Sequence, residues 1–202
     1  MRARPDFRAP ARPGMVRRDG GHARMTLLIL GLILFLGTHA FSMARGPRGR
    51  VVAAIGEVPY KGAYTVLSLL GIVLVVYGFG AYRAGAFVNV WYPPIFTKHL
   101  ALLLTLPIFV LVLAAYLPGR IKKVTTHPML LAVKVWATAH LLSNGDLGGM
   151  LLFGGFLAWA VMARISLKRR AEGSILDAIP SKPVNDLLAL AGGLVLWALF
   201  VF

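Results

Sequence analysis

The sequence predicts an all-α fold, a polytopic membrane helix bundle of about six transmembrane helices. Of the 202 residues, 58% are hydrophobic and only 14% are charged, whereas a water-soluble domain carries about 25% charged residues. The mean hydropathy is +0.74, and the apolar residues fall into long runs separated by clusters of Lys and Arg. These three observations predict that lipid is the solvent for most of the chain.

Ahead of the first run lies a tail, residues 1–24, that is rich in Arg and Pro and has no apolar periodicity. This composition predicts a disordered segment, followed by a transmembrane domain over 25–202. Two alternatives for the tail stay open. Translation can start at Met25, which opens directly on the first apolar run. Alternatively, the tail and first run form a cleavable signal peptide that ends at the small residues around Ser42.

After the tail come six apolar runs. The length of each is close to the roughly 20 residues that a helix needs to cross a hydrocarbon core of about 30 Å. The first, second and third runs are almost free of charge, and basic residues lie in the loops between them. The fourth run is the weakest candidate for a transmembrane helix, because Lys134 interrupts it. Only the turn Asn144-Gly145-Asp146 separates it from the fifth, so these two predict a helical hairpin. The predicted helices are 25–44, 64–82, 99–117, 128–144, 147–164 and 184–202.

The distribution of Lys and Arg predicts the orientation. From Met25 onward, the loops after the first, third and fifth helices hold twelve basic residues, whereas the opposite loops hold only Arg83 and Lys98. The positive-inside rule therefore places the basic loops in the cytoplasm and both termini outside. The tail argues against this orientation, since it adds seven arginines to the outer side.

The composition also excludes several chemistries. There are no cysteines and only seven acidic residues, so disulfides, thiolate metal sites and carboxylate-rich centres are not expected. No Walker loop, nucleophile elbow or dinucleotide fingerprint occurs. The basic residues lie in loops rather than in a stripe, which favours a lipid bilayer as the partner and no nucleic acid.

The histidines are the main source of chemistry. His127 and His140 lie about 20 Å apart along one helix, so a single site must combine histidines from different helices. Two neutral imidazoles that face each other across an apolar bundle can ligate a haem iron, and His39 with His140 is the first pair considered. Lys134, on the same helix face as His127, is a possible partner for a haem propionate or a substrate.

Structural roles stay open for the same residues. His39 and His140 can hydrogen-bond to a neighbouring helix, and His99 and His127 lie at helix ends near the headgroups. His127 precedes Pro128, which suits the first position of a helix, so it can simply cap the fourth helix. Lys134 can extend its charge to an edge of the bundle instead of binding a ligand.

Three segments carry a resemblance to a known family: Leu27–Met43, Lys61–Gly78 and, most specifically, Thr126–Leu147 (THPMLLAVKVWATAHLLSNGDL). The chain from about residue 25 to the C-terminus resembles the NnrU family. The distant relatives of that family include 15-cis-zeta-carotene isomerase.

The resemblance implies a multi-pass protein of the bacterial inner (cytoplasmic) membrane that is associated with denitrification and needed for nitrite and nitric oxide reduction. The isomerase relatives bind a non-covalent haem b between two histidines. Carried onto this chain, the first ligand falls on His39 and the second on His140, with His127 as the runner-up. Haem b is therefore the cofactor that the resemblance implies, and the nitrite and nitric oxide reductase machinery is the implied partner.

Several functions remain compatible with these expectations, and whether the protein is an enzyme stays open. The first is a bis-histidine haem b protein. The others are a haem-dependent carotenoid cis-trans isomerase-like enzyme, a membrane assembly factor without haem, and a small transporter with Lys134 in its pathway.

Overall fold

The computed structural model describes residues 19–85, 88–169 and 182–202, with side chains from Arg24 onward. The predicted all-α class is confirmed: the described residues form helices and no strand beyond one isolated bridge between Asn89 and Asp146. The helices are α1 (Asp19–Met43), α2 (Arg45–Ile55), α3 (Glu57–Arg83), α4 (Ile95–Tyr116), α5 (Arg120–Thr125), α6 (Pro128–Ser143), α7 (Leu147–Lys168) and α8 (Pro183–Val201).

Within the described residues, five helices are long and apolar enough to cross a membrane: α1, α3, α4, α7 and α8. All six predicted helices form, but the fourth, α6, has only 16 residues. At about 1.5 Å per residue it extends about 24 Å, less than the hydrocarbon thickness of about 30 Å. Pro128 at its first turn and the extended residue Asn144 at its end fix these limits.

Three helices begin earlier than predicted: α1, α4 and α3, the last of which is described with the segment before it. α1 begins at Asp19, so residues 19–24 are helical although they were assigned to the disordered tail; residues 1–18 of that tail lie outside the described residues. α4 begins at Ile95 rather than at residue 99, directly after Pro94. The extension of α1 is polar, so hydropathy does not detect it, whereas α4 gains the apolar residues Ile95 and Phe96 before Lys98.

The segment between the first and second predicted helices was predicted to be a loop, but it is helical. It forms α2 and the first two turns of α3, which meet at Gly56. Gly56 has a φ of 90°, a value that L side chains rarely adopt, and this breaks the helix. Glu57 and Lys61 then form an ion pair of 2.8 Å across the first turn of α3. The arginines of α2 lower the local hydropathy, so apolar runs do not indicate this helix.

The long helices pack as neighbours in the spatial order α3, α1, α7, α6, α4 and α8. Residues of α1, α3, α6 and α7 share one core, which includes Leu28, Val75, Ala137 and Phe153. This order differs from the order along the sequence, because α1 lies between α3 and α7. The first helix is therefore surrounded by the helices that carry most of the aromatic residues of the core.

The α1–α3 contact is close because glycine allows the backbones to touch. A Cβ atom at Gly71 would collide with the backbone of Phe35, and one at Gly78 would collide with the backbone of Leu28. Small residues at helix interfaces drive association in lipid through close van der Waals packing. Gly71 and Gly78 thus fix α1 against α3 and set the position of His39.

We call the end of the bundle where α1, α4 and α7 finish the basic end. It carries the basic residues of α2 and α5, and Asp186 of α8 accepts hydrogen bonds of 2.9 Å from the backbone of Arg120 and Ile121 there. At the opposite end, Asp146 caps α7 by accepting from Gly149 N at 2.8 Å and forms an ion pair with Arg83 at 3.3 Å. Hydrogen bonds therefore hold the connecting segments to the helices at both ends.

Candidate functional site

A cavity of about 390 Å³ lies at the basic end, between α1, α5, α6 and α7. Its polar lining comes from the last turn of α1, from α5 and from the turn between α5 and α6. The apolar part includes Ala115, Met129, Leu130 and Ala163. The polar residues that line it are His39, Ser42, Lys122, Thr126 and His127. It therefore combines two histidines and a lysine with apolar walls.

The ring of His39 is held in one orientation. Its Nδ1 lies 2.8 Å from the carbonyl oxygen of Phe35, one turn earlier in α1. Because a carbonyl oxygen only accepts, Nδ1 carries the proton, and Nε2 of the neutral ring is left as the acceptor. Metal-ligating histidines commonly show this arrangement, in which the second ring nitrogen donates to a backbone carbonyl.

Aromatic side chains surround His39. The ring centroids of Phe35, Tyr64 and Trp159 lie 4.2, 5.3 and 5.6 Å from that of His39, and Trp159 meets it edge-on at 90°. The indole Nε1 of Trp159 is buried and has no hydrogen-bond partner among the described residues. Since Trp159 also lines the cavity, an unsatisfied donor lies beside His39.

His127 reaches the same cavity from the start of α6. It occupies the residue before Pro128, at the cap position, and its backbone nitrogen donates to Thr125 O at 2.7 Å. Between them, Thr126 has a φ of 64°. A β-branched residue in this region is strained, at a cost of about 1–3 kcal/mol. This strained turn between α5 and α6 places both Thr126 and His127 at the cavity.

A positive charge is fixed beside the two histidines. The Nζ of Lys122 donates to the carbonyl oxygen of Ala115 at 2.8 Å, in the last turn of α4. A lysine at a helix C-terminus also interacts favourably with the helix dipole. Lys122 therefore has a defined position in the cavity lining rather than extending freely to the surface.

His140 lies elsewhere in the bundle. Its ring stacks on Phe153, with centroids 4.1 Å apart and planes 3° apart, and meets Trp136 edge-on. Its Nδ1 lies 3.3 Å from Asn144 Nδ2. It lines a different cavity of about 200 Å³, together with Lys98 and Ser143.

Of the histidines named from the sequence, the structure thus places His39 and His127 at one cavity and His140 at another. A chain of aromatic contacts lies between His39 and His140, from Phe35 through Phe156 to Trp136. Lys134 is half-buried in α6 and lines neither of these cavities. Among the described residues, no three or more His or acidic side chains form a group that could hold a metal ion.

Sequence reasoning missed three residues of the site: Lys122, Thr126 and Trp159. Lys122 was counted only as an orientation signal, and Thr126 and Trp159 were not singled out. The His-Pro pair at 127–128 was the one available signal nearby, because proline favours the first position of a helix and so marks the turn that carries Thr126 and His127.

Most of the chain matches a known protein family. A family model described as NnrU protein matches residues 27–202, which covers every helix from α2 to α8 and most of α1. No curated protein and no solved structure matches the chain.

Proposed function

The chain belongs to the NnrU family of membrane-type helical proteins, and on that premise we propose that it supports denitrification through a haem b bound inside its helix bundle. In this proposal the protein is a multi-pass protein of the bacterial inner membrane. It acts in nitrite and nitric oxide reduction, which is the process that the family resemblance implies.

One observation carries the haem site: His39 and His127 line the same cavity. They come from α1 and from the start of α6, so these two histidines would hold the haem iron from two different helices. The hydrogen bond from Nδ1 to Phe35 O leaves Nε2 of His39 available for iron. His140 was the first choice for the second ligand, but it stacks on Phe153 and faces another cavity. The geometry therefore favours His127, the runner-up.

The remaining lining suits a haem. The cavity volume, about 390 Å³, falls in the range of about 300–1,000 Å³ that is usual for ligand and cofactor sites. Trp159 offers an apolar face and an unsatisfied N–H donor, and Lys122 supplies a positive charge for a propionate. Lys122, rather than Lys134, is thus the proposed propionate partner. Bound there, haem b would supply one-electron redox chemistry.

The test is the oxidised and reduced absorption spectrum of the detergent-purified protein from haem-replete cells. We expect a low-spin b-type spectrum that is lost in His39→Ala and in His127→Ala. His140→Ala should retain it, as should His99→Ala, which replaces an exposed histidine of α4. Spectral loss in His140→Ala with retention in His127→Ala would overturn the ligand pair.

A colourless protein from the same cells would overturn the haem site and favour an assembly role without haem. The link to denitrification has its own test, in a denitrifying bacterium from which the corresponding family member has been deleted. The wild-type chain should restore nitrite and nitric oxide consumption, and His39→Ala and His127→Ala should not. Full restoration by both variants would contradict a role of this site in the process.

A further inference from the structure

A second, more apolar space lies on the other side of α1. It is a groove of about 450 Å³ between α1, α2 and α3, which we call the α2 groove. Its walls include Ile33 and Phe41 of α1, Ile55 of α2 and Leu67 of α3, all of which are exposed in the isolated chain. Side chains of this kind face hydrocarbon when the bundle lies in a bilayer.

One buried polar group interrupts these apolar walls. Tyr60 lines the groove and is only 8% exposed, yet its hydroxyl has no hydrogen-bond partner among the described residues. A buried donor without an acceptor costs free energy, and in hydrocarbon no water replaces the missing partner. The hydroxyl is therefore a free donor for an acceptor that a ligand brings into the groove.

A positive charge lies over the ring that carries this hydroxyl. The guanidinium carbon of Arg48 lies 5.4 Å from the centroid of the Tyr60 ring, in a cation–π contact. Arg48 belongs to α2, which also carries Arg45 and Arg50 and contains no acidic residue. The nearby carboxylate of Glu57 is already paired with Lys61 at 2.8 Å. The charge at this end of the groove is thus complementary to an anion.

We propose that the α2 groove binds an anionic phospholipid of the leaflet at the basic end. One acyl chain lies along the apolar walls, and the phosphate accepts hydrogen bonds from the Tyr60 hydroxyl and from Arg48. The positive-inside rule places this end in the cytoplasmic leaflet, where anionic lipids meet basic segments. This site does not depend on the haem cavity, and the two can be tested separately.

The test uses the full-length chain in detergent, with dioleoylphosphatidylglycerol, dioleoylphosphatidylcholine or glycerol 3-phosphate as the added probe. Native mass spectrometry counts bound lipid, and thermal unfolding followed by tryptophan fluorescence gives the half-effective concentration. We expect phosphatidylglycerol to bind and raise the Tm. Phosphatidylcholine carries the same phosphate, but its choline cation cancels the net negative charge and is repelled by the arginines of α2, so it should bind about tenfold more weakly. Glycerol 3-phosphate should have no effect, since it lacks the acyl chain.

Two variants remove the polar contacts, and each has a matched control. Arg48→Gln should weaken phosphatidylglycerol binding about tenfold, while Lys123→Gln, at an exposed lysine of the same end, should change it less than about twofold. Tyr60→Phe removes only the hydroxyl and should weaken binding by about fivefold. Its control is Tyr77→Phe, at a tyrosine that is 73% exposed.

A third variant tests the apolar part. Gly37 lines the groove, and a Cβ atom there would meet nothing within 4 Å. Gly37→Leu should fill the groove without disturbing helix packing, and should abolish the Tm increase. The proposal is overturned if the two phospholipids act equally, or if Arg48→Gln behaves like Lys123→Gln. It is equally overturned if glycerol 3-phosphate reproduces the effect, or if Gly37→Leu binds lipid as the wild type does.

Discussion

At the scale of single residues, some buried polar groups of this bundle have hydrogen-bond partners and others have none among the described residues. Asp146 is 3% exposed and accepts from both Gly149 N and Arg83. The Tyr60 hydroxyl and the Trp159 indole are buried without partners among the described residues. A buried unsatisfied group is costly and requires an explanation, and for Tyr60 and Trp159 the two proposals above supply one in the form of a ligand.

Asp146 provides a test of the structural kind. Asp146→Ala removes the cap of α7 and leaves Arg83 without its carboxylate, so we expect the free energy of unfolding to fall by about 1–3 kcal/mol. Arg83→Gln should cost less, because the Asp146 carboxylate keeps its hydrogen bond from Gly149 N and the arginine side chain is 47% exposed. Unfolding in mixed detergent micelles measures both values. An equal loss in the two variants would contradict the dominant role of the cap.

Trp159 provides a test of the other kind. Trp159→Phe removes the unpartnered N–H and keeps most of the ring, so we expect the free energy of unfolding to change by less than about 1.5 kcal/mol. If haem b binds as proposed, the same variant should shift its absorption maxima, because Trp159 lines the cavity beside His39. Unchanged spectra in Trp159→Phe would show that the indole does not contact the cofactor.

At the scale of elements, close approach of helices decides where the histidines lie. α1 packs most extensively against α3, and the backbones meet at Gly71 and Gly78. The short helix α5 and the strained residue Thr126 then turn the chain into α6, so that His127 faces α1. The candidate site therefore depends on contacts made by residues that do not line it.

The glycine contact predicts a difference between two neighbouring positions of α3. In Gly78→Ala the new methyl group collides with the backbone of Leu28, whereas in Gly80→Ala it meets nothing within 4 Å. We expect Gly78→Ala to lower the free energy of unfolding by about 1–3 kcal/mol. Gly80→Ala should be neutral or raise it, by up to about 1 kcal/mol, because alanine favours a helix over glycine. Unfolding in mixed micelles separates the two, and equal values would contradict the close α1–α3 packing.

At the scale of the whole molecule, the basic residues of α2, α5 and the end of α7 lie together at one end of the bundle. This grouping agrees with the pattern in the sequence, where basic loops alternate with less charged ones. Both the histidine cavity and the α2 groove lie toward that end. The positive-inside rule predicts that both sites lie near the cytoplasmic side.

The orientation can be tested directly because the chain contains no cysteine. Tyr92→Cys introduces a thiol at an 81% exposed position opposite the basic end, and Lys123→Cys introduces one in α5. We expect a membrane-impermeant maleimide to label Tyr92→Cys in intact cells or spheroplasts, and Lys123→Cys only after permeabilisation. The reverse pattern would show that the basic end faces outward and that the tail arginines dominate the topology.

The sequence by itself determined the solvent, the class of fold and the family. Apolar runs of the length of a bilayer need no tertiary information to be recognised, and α3, α4, α7 and α8 follow from them. The His-Pro pair at 127–128 also indicated where α6 begins. Hydropathy did not reveal α2, because its arginines lower the local average although the backbone is helical.

Only the tertiary structure decided which histidines share a cavity. In water, the apolar face of a helix marks its buried side, but in lipid the outward and inward faces are both apolar, so periodicity does not identify neighbours. The packing order α3, α1, α7, α6, α4 and α8 places His39 with His127, and places His140 beside Phe153. That choice depends on backbone contacts such as the one at Gly78, and no pattern of hydropathy encodes them.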